Sequence, residues 1–307
     1  MDLLKQLTQI PGASSDESKI KEFILQYIQN NQNNWKVKPQ IHLSEDFQDA
    51  FCITFGKPKT AVFAHMDTVG FSVGYHNRLI KIGSPKMNEK HLLVGKDSIG
   101  EIECEVLIIE NEYGFTYQAV YEREIERGTI LTYKPNFKES KSYITSPYLD
   151  NRLGVCNVLK LAENLENGAI VFSTYEEHGG NTVSYIAKYL KKHFGINRAL
   201  ISDITWVTEG VLHGGGVAIS MRDSGLPRKK YLNEIIELAK KSGIPFQLEV
   251  ESSGGSDGTM IQKSETIMDW VFIGAPEDNV HSPEEKVHKK DIESMLSMYH
   301  YLMKKIG

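Results

Sequence analysis

The carboxyl-terminal half of the chain alternates between helix-like and strand-like segments. Beyond Asp150, apolar positions at helical spacing are followed by a strand-like run at 169–175, a second helical pattern and a strand-like run at 198–204. The pattern then continues with strands at 216–221, 246–250 and 268–273, and with helices at 231–239 and near the end of the chain. Strands and helices that alternate in this way build a largely parallel sheet with both faces covered. We therefore expect an α/β fold with a mostly parallel central sheet and helices on both faces.

The amino-terminal segment carries the same kind of pattern. Ser14 and Glu17 stand at capping-box spacing before an apolar helical stripe, which predicts a helix from Ser14 to Gln32. Two short apolar runs, at 50–55 and 59–65, are typical of buried strands.

Residues from about Gly70 to Thr145 lack this alternation. Short strand patterns follow one another there, with turn residues between them. We predict an α/β domain formed by residues 1–69 and 146–307, divided by an inserted β-rich domain at 70–145. The alternative is a single irregular domain with an antiparallel flap.

The overall charge suggests no polymeric partner. The 307 residues contain 35 Lys and Arg against 40 Asp and Glu, a net charge of −5, which is too weak a field to indicate nucleic-acid or membrane binding. Cys52, Cys104 and Cys156 lie far apart and form no Cys-x-x-Cys pair, which disfavours a disulfide framework or a thiolate metal site. Because the first twenty residues do not resemble a signal peptide, we expect a cytoplasmic protein.

Histidines and acidic residues cluster at or beyond the ends of the predicted strands. Residues at the carboxyl edge of such a sheet converge even when they are distant in sequence. The residues at these positions are His65, Asp67, Asp150, Glu176, Glu177, Asp203 and His281.

Imidazoles and carboxylates without thiolates suit zinc or a similar divalent ion. The number of ligand-grade side chains exceeds what one catalytic zinc takes from protein, so we expect two ions, with Asp150 placed to bridge them. His65 and Asp67 are two apart at a strand end, so Asp67 can orient the His65 ring. Glu176 and Glu177 are adjacent and point in different directions, so one can bind metal while the other acts as general base.

Other interpretations are less well supported. A single His-x-Asp is usually a polar pair and a single Glu–Glu a solvated loop, but neither explains why charged residues follow an apolar strand at His65, Glu176 and Asp203. The glycine clusters at 214–216 and 254–258 match no phosphate-binding motif and are read as turns or as backbone near a substrate. The chain contains no Gly-x-Ser-x-Gly.

Six motifs in order resemble the glutamyl or deblocking aminopeptidase family of dinuclear zinc metallopeptidases, some of whose members have been labelled endoglucanases. The motifs are AHMDTVGFSV, YLDNRLGV, TYEEHGG, SDIT, GGSDG and VHSPEEKVHKKDI. The resemblance implies that His65 and Asp203 bind one metal ion, that Glu177 and His281 bind the other, and that Asp150 bridges them. Glu176 would then be the general base.

The resemblance also implies a fold of the zinc-exopeptidase type, interrupted by a small β-barrel-like domain that builds large homo-oligomers. The expected cofactors are two divalent ions per subunit, zinc or alternatively cobalt or manganese. The expected substrates are short peptides that lose their N-terminal residue.

Two features depart from the family pattern. Thr68 stands where the family usually has Glu after His-x-Asp, and GAPEDNVHSP and EEHGG resemble related dimeric exopeptidases and deacylases. The insertion before Asp150 favours the aminopeptidase family, because the relatives carry their extra domain later in the chain. A carboxypeptidase or N-acyl amino acid deacylase stays the alternative, and a non-catalytic assembly protein of the same fold is the alternative of another class.

Overall fold

A large mixed sheet flanked by helices, together with a closed β-barrel, makes up the computed structural model, which describes residues 1–88, 91–112 and 114–307. The helices are α1 (Asp2–Leu7), α2 (Ser18–Asn31), α3 (Leu149–Ala162), α4 (Asn181–Phe194), α5 (Lys229–Ser242), α6 (Asp257–Lys263) and α7 (Lys289–Ile306). The strands of the large sheet are β1 (Gln40–His42), β2 (Phe51–Phe55), β3 (Thr60–His65), β10 (Lys138–Glu139), β11 (Tyr143–Thr145), β12 (Gly168–Ser173), β13 (Arg198–Trp206), β14 (Val217–Ser220), β15 (Phe246–Glu249), β16 (Asp269–Asp278) and β17 (Lys286–His288).

The centre of the large sheet is parallel. Strands β12, β3, β13 and β16 lie side by side and run in the same direction. Every residue of β3 and β12 is buried, as expected for strands covered on both faces. Antiparallel strands extend the sheet on both sides, β2 and β1 next to β12, and β17, β11 and β10 next to β16. The predicted fold class is confirmed.

Two hydrophobic cores lie on the two faces of the sheet. Val62 and Leu200 belong to the core formed with α1, α2, α3, α5 and α7. Phe63 and Ile201, one residue further along the same strands, belong to the core formed with α4 and α6. Because successive side chains of a strand point to opposite faces, each central strand contributes to both cores.

Helix α2 begins later than the capping-box pattern predicts. It begins at Ser18 with Glu17 at the N-cap position, and no side chain caps it. Ser14 donates its hydroxyl hydrogen to Asp67 Oδ2 at 2.6 Å instead. The capping-box prediction was therefore wrong, because a buried carboxylate from a distant part of the chain competes for the hydroxyl of Ser14.

The barrel is built from six antiparallel strands. They are β4 (Gly70–Val73), β5 (Arg78–Ile82), β6 (Leu93–Lys96), β7 (Glu101–Asn111), β8 (Gly114–Val120) and β9 (Ile130–Tyr133), and they close in the order β4–β5–β8–β7–β6–β9. Its interior is a separate hydrophobic core that includes Phe71, Leu93, Val106 and Leu131.

The barrel ends before the limit expected for the β insertion. Strands β10 and β11, within the segment assigned to the insertion, pair with the large sheet, where β11 lies antiparallel to β17. The barrel therefore ends at Tyr133, and residues 138–145 extend the edge of the large sheet rather than the barrel. Within the described residues, no helix is long and apolar enough to span a membrane.

Candidate metal centre

The histidines and acidic residues singled out from the sequence meet at one edge of the parallel sheet. His65 is the last residue of β3, and Asp203 lies near the end of the neighbouring strand β13. Glu176 and Glu177 form a short 3-10 turn after β12. Asp150 lies in the first turn of α3, and His281 lies between β16 and β17. The parallel register of the strands is what brings these positions together.

The carboxylate of Asp150 lies between the two histidine rings. Its Oδ1 is 3.2 Å from His65 Nε2, and its Oδ2 is 3.2 Å from His281 Nε2. Asp203 Oδ2 is 3.5 Å from His65 Nε2, while Glu177 Oε2 is 3.2 Å from His281 Nε2. Asp150 thus belongs to two groups of side chains, one around each ring.

Both groups have the composition of a metal site. In each, three ligand atoms lie within 4.8 Å of one another: His65, Asp150 and Asp203 in the first group, and Asp150, Glu177 and His281 in the second. Glu177 Oε1 is buried and has no hydrogen-bond partner among the described residues, as expected of an oxygen that faces a cation. Imidazole nitrogens and carboxylate oxygens suit zinc and similar ions, so the residues present fit such ions.

The electrostatics of the cluster favour a cation. Burial raises the pKa of Glu176 well above its ordinary value; the charge of His65 opposes the shift, and the carboxylates of Asp203, Asp257 and Asp150 add to it. The pKa of Glu177 is also raised, first by burial and then by Asp150 and Glu176. The cluster contains more negative than positive charge, and bound divalent ions would balance this excess of negative charge.

His65 shows the opposite effect. Burial alone would lower its pKa, but the charge of Asp203 and hydrogen bonds to Asp150, Asp203 and Asp67 raise the pKa well above the ordinary value. The ring therefore lies in a strongly negative environment, which is also the environment that attracts a metal ion.

Asp67 is fully buried and joins several parts of the site. Its backbone carbonyl oxygen is 3.2 Å from His65 Nδ1, and its carboxylate Oδ1 is 3.4 Å from the same nitrogen. The carboxylate accepts the backbone N–H groups of Glu176 and Glu177, each at 3.1 Å, and the hydroxyl of Ser14. Asp67 therefore fixes the turn that carries both glutamates as well as the His65 ring.

The sequence reasoning did not identify Glu285 as part of the site. This buried side chain accepts the N–H of Asp150 at 3.1 Å with one oxygen and that of His281 at 2.9 Å with the other. In the sequence, Glu285 is marked only by its position in the motif HSPEE, and the motif does not distinguish it from the adjacent Glu284.

The sequence analysis did not predict a role for Gly154 either. It brings α3 close to β13, because a Cβ atom at this position would lie 2.2 Å from the carbonyl oxygen of Ser202. Asn151 supports the same contact by donating to Ser202 O and accepting the N–H of Gly154. Asp150 and Asp203, which flank this contact, owe their proximity to it.

Three non-glycine residues at the site have a left-handed backbone. They are Tyr148, Tyr175 and His281, with φ values of 69°, 63° and 65°. Such conformations are unfavourable for non-glycine residues and are typical of sites whose surroundings hold them in place.

A cavity of about 330 Å³ opens next to the cluster. Its lining includes Trp206, Phe272 and Gly254, and the acidic side chains of Asp223, Glu249 and Glu251. The part of its lining that the structure describes contains no lysine or arginine. The cavity is therefore acidic even beyond the candidate metal ligands.

The two glycine clusters have different environments. Gly254 and Gly255 line the cavity, next to the start of α6. The cluster at 214–216 is instead a turn in which Gly214 and Gly216 donate their N–H groups to Asp291 of α7.

Two of the remaining histidines also have defined partners. His178 Nδ1 accepts the N–H of Gly83, the residue after β5, and His213 Nε2 is 3.1 Å from Asp278.

The chain matches a known protein family over most of its length. The profile of the M42 glutamyl aminopeptidase family matches residues 76–298. A protein of Acetivibrio thermocellus described as "Putative aminopeptidase" is 25% identical, with 97% of this chain and 96% of that protein aligned.

Two solved structures share the fold over nearly their whole length. The TET aminopeptidase from a marine sediment archaeon, Thaumarchaeota archaeon SCGC AB-539-E09, has a TM-score of 0.86 at 17% identity, with 100% and 96% of the two chains covered. The Pyrococcus horikoshii TET1 peptidase, which can assemble into a tetrahedron or a large octahedral shell, has a TM-score of 0.77 at 21% identity, with 98% of each chain covered.

Proposed function

Since the chain belongs to the M42 glutamyl aminopeptidase family and is a peptide hydrolase, we propose that it removes N-terminal residues from short peptides with the help of two divalent metal ions. The observation that carries this proposal is the position of Asp150, one oxygen of which faces each histidine ring. A carboxylate shared by two ligand groups can bind one ion with each oxygen and so hold a pair of ions together.

The proposed ligands follow from the two groups. His65 and Asp203 would hold one ion, Glu177 and His281 the other, and Asp150 both. When bound, such ions lower the pKa of a water molecule and polarise the scissile carbonyl group. Zinc suits these ligands, and cobalt or manganese would also fit them.

Glu176 is the proposed general base. Its Oε2 is 4.0 Å from His65 Nε2, so it borders the metal ligands without belonging to either group of three. In the proposed reaction Glu176 takes a proton from the attacking water and delivers it to the leaving amine. Asp67 supports this role, because it holds the backbone of Glu176 through a hydrogen bond.

The test compares substrates and one variant. Aminoacyl anilides and short peptides should be hydrolysed, whereas N-acylated amino acids should not. Glu176→Gln should lower kcat by about 10²–10⁴ while metal content, measured by elemental analysis, stays at the wild-type value. Hydrolysis of acylated amino acids alone would favour a deacylase, and activity on peptides from the carboxyl end would favour a carboxypeptidase. Absence of both bound metal and hydrolysis would favour a non-catalytic assembly protein.

We also propose that the barrel of the β-rich insertion, residues 70–133, mediates assembly of several copies into a large homo-oligomer. The barrel exposes apolar side chains on adjacent strands: Ile80 on β5, Phe115 on β8, and Leu107 and Ile109 on β7. Ile80 and Phe115 line the same surface groove. Exposed apolar groups of this kind favour contact with another protein surface.

Mass photometry tests the assembly. Phe115→Glu should shift the wild-type oligomer towards smaller species, while Ile267→Glu, which changes an isoleucine exposed outside the barrel, should not. A monomeric wild-type protein would refute the proposal.

The three cysteines carry free thiols, which suits the reducing cytoplasm that we propose as the location of the protein.

A further inference from the structure

Both ring nitrogens of His281 face polar atoms, and one of these atoms belongs to the barrel side of the chain. Nε2 is 3.2 Å from Asp150 Oδ2 and 3.2 Å from Glu177 Oε2. Nδ1 is 2.7 Å from the hydroxyl oxygen of Ser84. Ser84 follows β5 and, among the described residues of the barrel segment, is the one that lines the cavity.

The backbone of His281 is held from the same side. Lys86 donates its N–H to the carbonyl oxygen of His281 at 2.8 Å. The hydroxyl oxygen of Tyr133, the last residue of the barrel, is 2.9 Å from this carbonyl oxygen and 2.6 Å from that of Lys86, so its single hydrogen is shared between the two acceptors. The barrel thus fixes both the ring and the backbone of His281, in the left-handed conformation described above.

The tautomer of His281 decides whether it can bind metal. A neutral imidazole carries its proton on one nitrogen only, and metal coordination through Nε2 requires that proton to be on Nδ1. The hydroxyl oxygen of Ser84 can accept this proton in a hydrogen bond. Asp67 holds His65 in the corresponding way, since its carbonyl oxygen faces His65 Nδ1.

We propose that Ser84, on the barrel side of the chain, is a positioning residue that fixes the metal-binding tautomer and orientation of His281. This inference rests on the proposed two-metal function. It means that the inserted domain contributes to the metal centre as well as to assembly.

The two ions should consequently differ in affinity. His65 is buried, and its Nδ1 faces both the carbonyl oxygen and the carboxylate of Asp67. His281 is more exposed and depends on a neutral hydroxyl. Because the acceptor behind a metal-binding histidine tunes its basicity, the ion held by His281 and Glu177 should be the weaker one.

Competition titration of Zn²⁺ against a chelator tests the proposal on the full-length protein. Ser84→Ala should weaken the lower-affinity site by about 10–100-fold and leave the other site unchanged. Ser84→Thr keeps the hydroxyl and should keep wild-type affinity. Ser72→Ala, which removes a hydroxyl from strand β4 of the same barrel, is the matched control. If each site binds Zn²⁺ with the same affinity in Ser84→Ala as in the wild-type protein, the proposal is overturned.

A second measurement separates positioning from folding. In Zn²⁺-loaded wild-type protein, ¹⁵N chemical shifts should show a protonated Nδ1 at His281, and a protonated Nε2 would overturn the proposal. Urea unfolding of metal-free Ser84→Ala should match wild type, because Ser84 is exposed. A wild-type protein that binds fewer than two ions would instead refute the proposed function, and this inference with it.

Discussion

Asp150 lies between His65 and His281, with one carboxylate oxygen 3.2 Å from Nε2 of each ring. In the metal-free protein, burial opposes ionisation of this side chain, but hydrogen bonds from His281 and His65 hold the pKa of Asp150 well below its usual range. The carboxylate is therefore ionised and has an oxygen available to each side.

Replacing Asp150 by Asn should weaken both metal sites. The amide group offers one oxygen and a nitrogen without an available lone pair, so it can serve one side only. We expect loss of both ions during dialysis and a fall in kcat of at least about 100-fold. Asp203→Asn is the control and should release only one ion. Elemental analysis after dialysis distinguishes the two, and retention of two ions by Asp150→Asn would contradict the bridging role.

Gly154→Ala should destabilise the protein and weaken metal binding together. The added methyl group would lie 2.2 Å from Ser202 O, so α3 would have to move away from β13. Overpacking of this kind costs about 1–3 kcal/mol in the free energy of unfolding, which urea titration measures. Gly210→Ala is the matched control, since nothing lies within 4 Å of its Cβ position. An unchanged metal affinity would show that the contact does not set the position of Asp150.

The stability of the barrel should depend on pH through Asp97. Arg123 donates to both oxygens of Asp97, at 2.6 and 2.9 Å, and the N–H groups of Ile99 and Gly100 donate to Oδ1. The Arg123 hydrogen bonds, opposed by partial burial, hold the pKa of Asp97 well below its usual range. A depressed folded-state pKa stabilises the protein above the unfolded-state pKa of about 3.9, and this stability is lost as the pH falls through the folded-state value.

Asp97→Asn should therefore lower the Tm at pH 7, and the difference from wild type should shrink as the pH falls below about 4. Thermal unfolding between neutral and acidic pH measures this difference. Glu105→Gln, which changes an exposed acidic side chain on β7, serves as control. A difference that is constant over the whole pH range would contradict the prediction.

An N-terminal glutamate should be a poor substrate residue in spite of the family's description. Beyond the metal cluster, the cavity carries Asp223, Glu249 and Glu251, and its described lining contains no lysine or arginine to neutralise an acidic substrate. We expect kcat/KM for a glutamyl anilide to be roughly tenfold or more below that for leucyl or lysyl anilides, because like charges repel across a recognition site. Glu251→Gln should reduce this difference in kcat/KM, because it removes one negative charge from the cavity. A glutamyl substrate cleaved fastest would refute this prediction.

The convergence of these histidines and carboxylates was predictable because it follows from a general property of parallel sheets. Once 59–65 and 198–204 are read as parallel strands, their carboxyl ends must meet, and so His65 and Asp203 approach each other. The same reasoning extends to the turn after β12, which carries Glu176 and Glu177. Local pattern and sheet geometry point in the same direction at these positions.

Residues whose partners lie far away in sequence could not be predicted in this way. Ser14 looks like a helix cap by its local spacing, yet it bonds Asp67, and this choice depends on the position of β3. Strand β11 resembles the barrel strands before it, but it pairs with β17 near the end of the chain. Helix α6 begins within a glycine-rich stretch that looks like a turn, and the Ser256 hydroxyl caps it by accepting the N–H of Gly258.

The position of the barrel in the chain also bears on how the protein folds. Strands β3 and β12 are parallel neighbours in the centre of the sheet, although their paired residues, such as Ala64 and Phe172, lie about a hundred positions apart. The whole barrel lies between them, and within the described part of the chain its strands pair only with one another. During synthesis the barrel can therefore form before β12 leaves the ribosome, while β3 waits with an apolar edge unpaired. An early barrel shortens the loop that the central sheet must close, so β12 can pair with β3 sooner once it has been synthesised, and the edge of β3 is exposed to aggregation for less time.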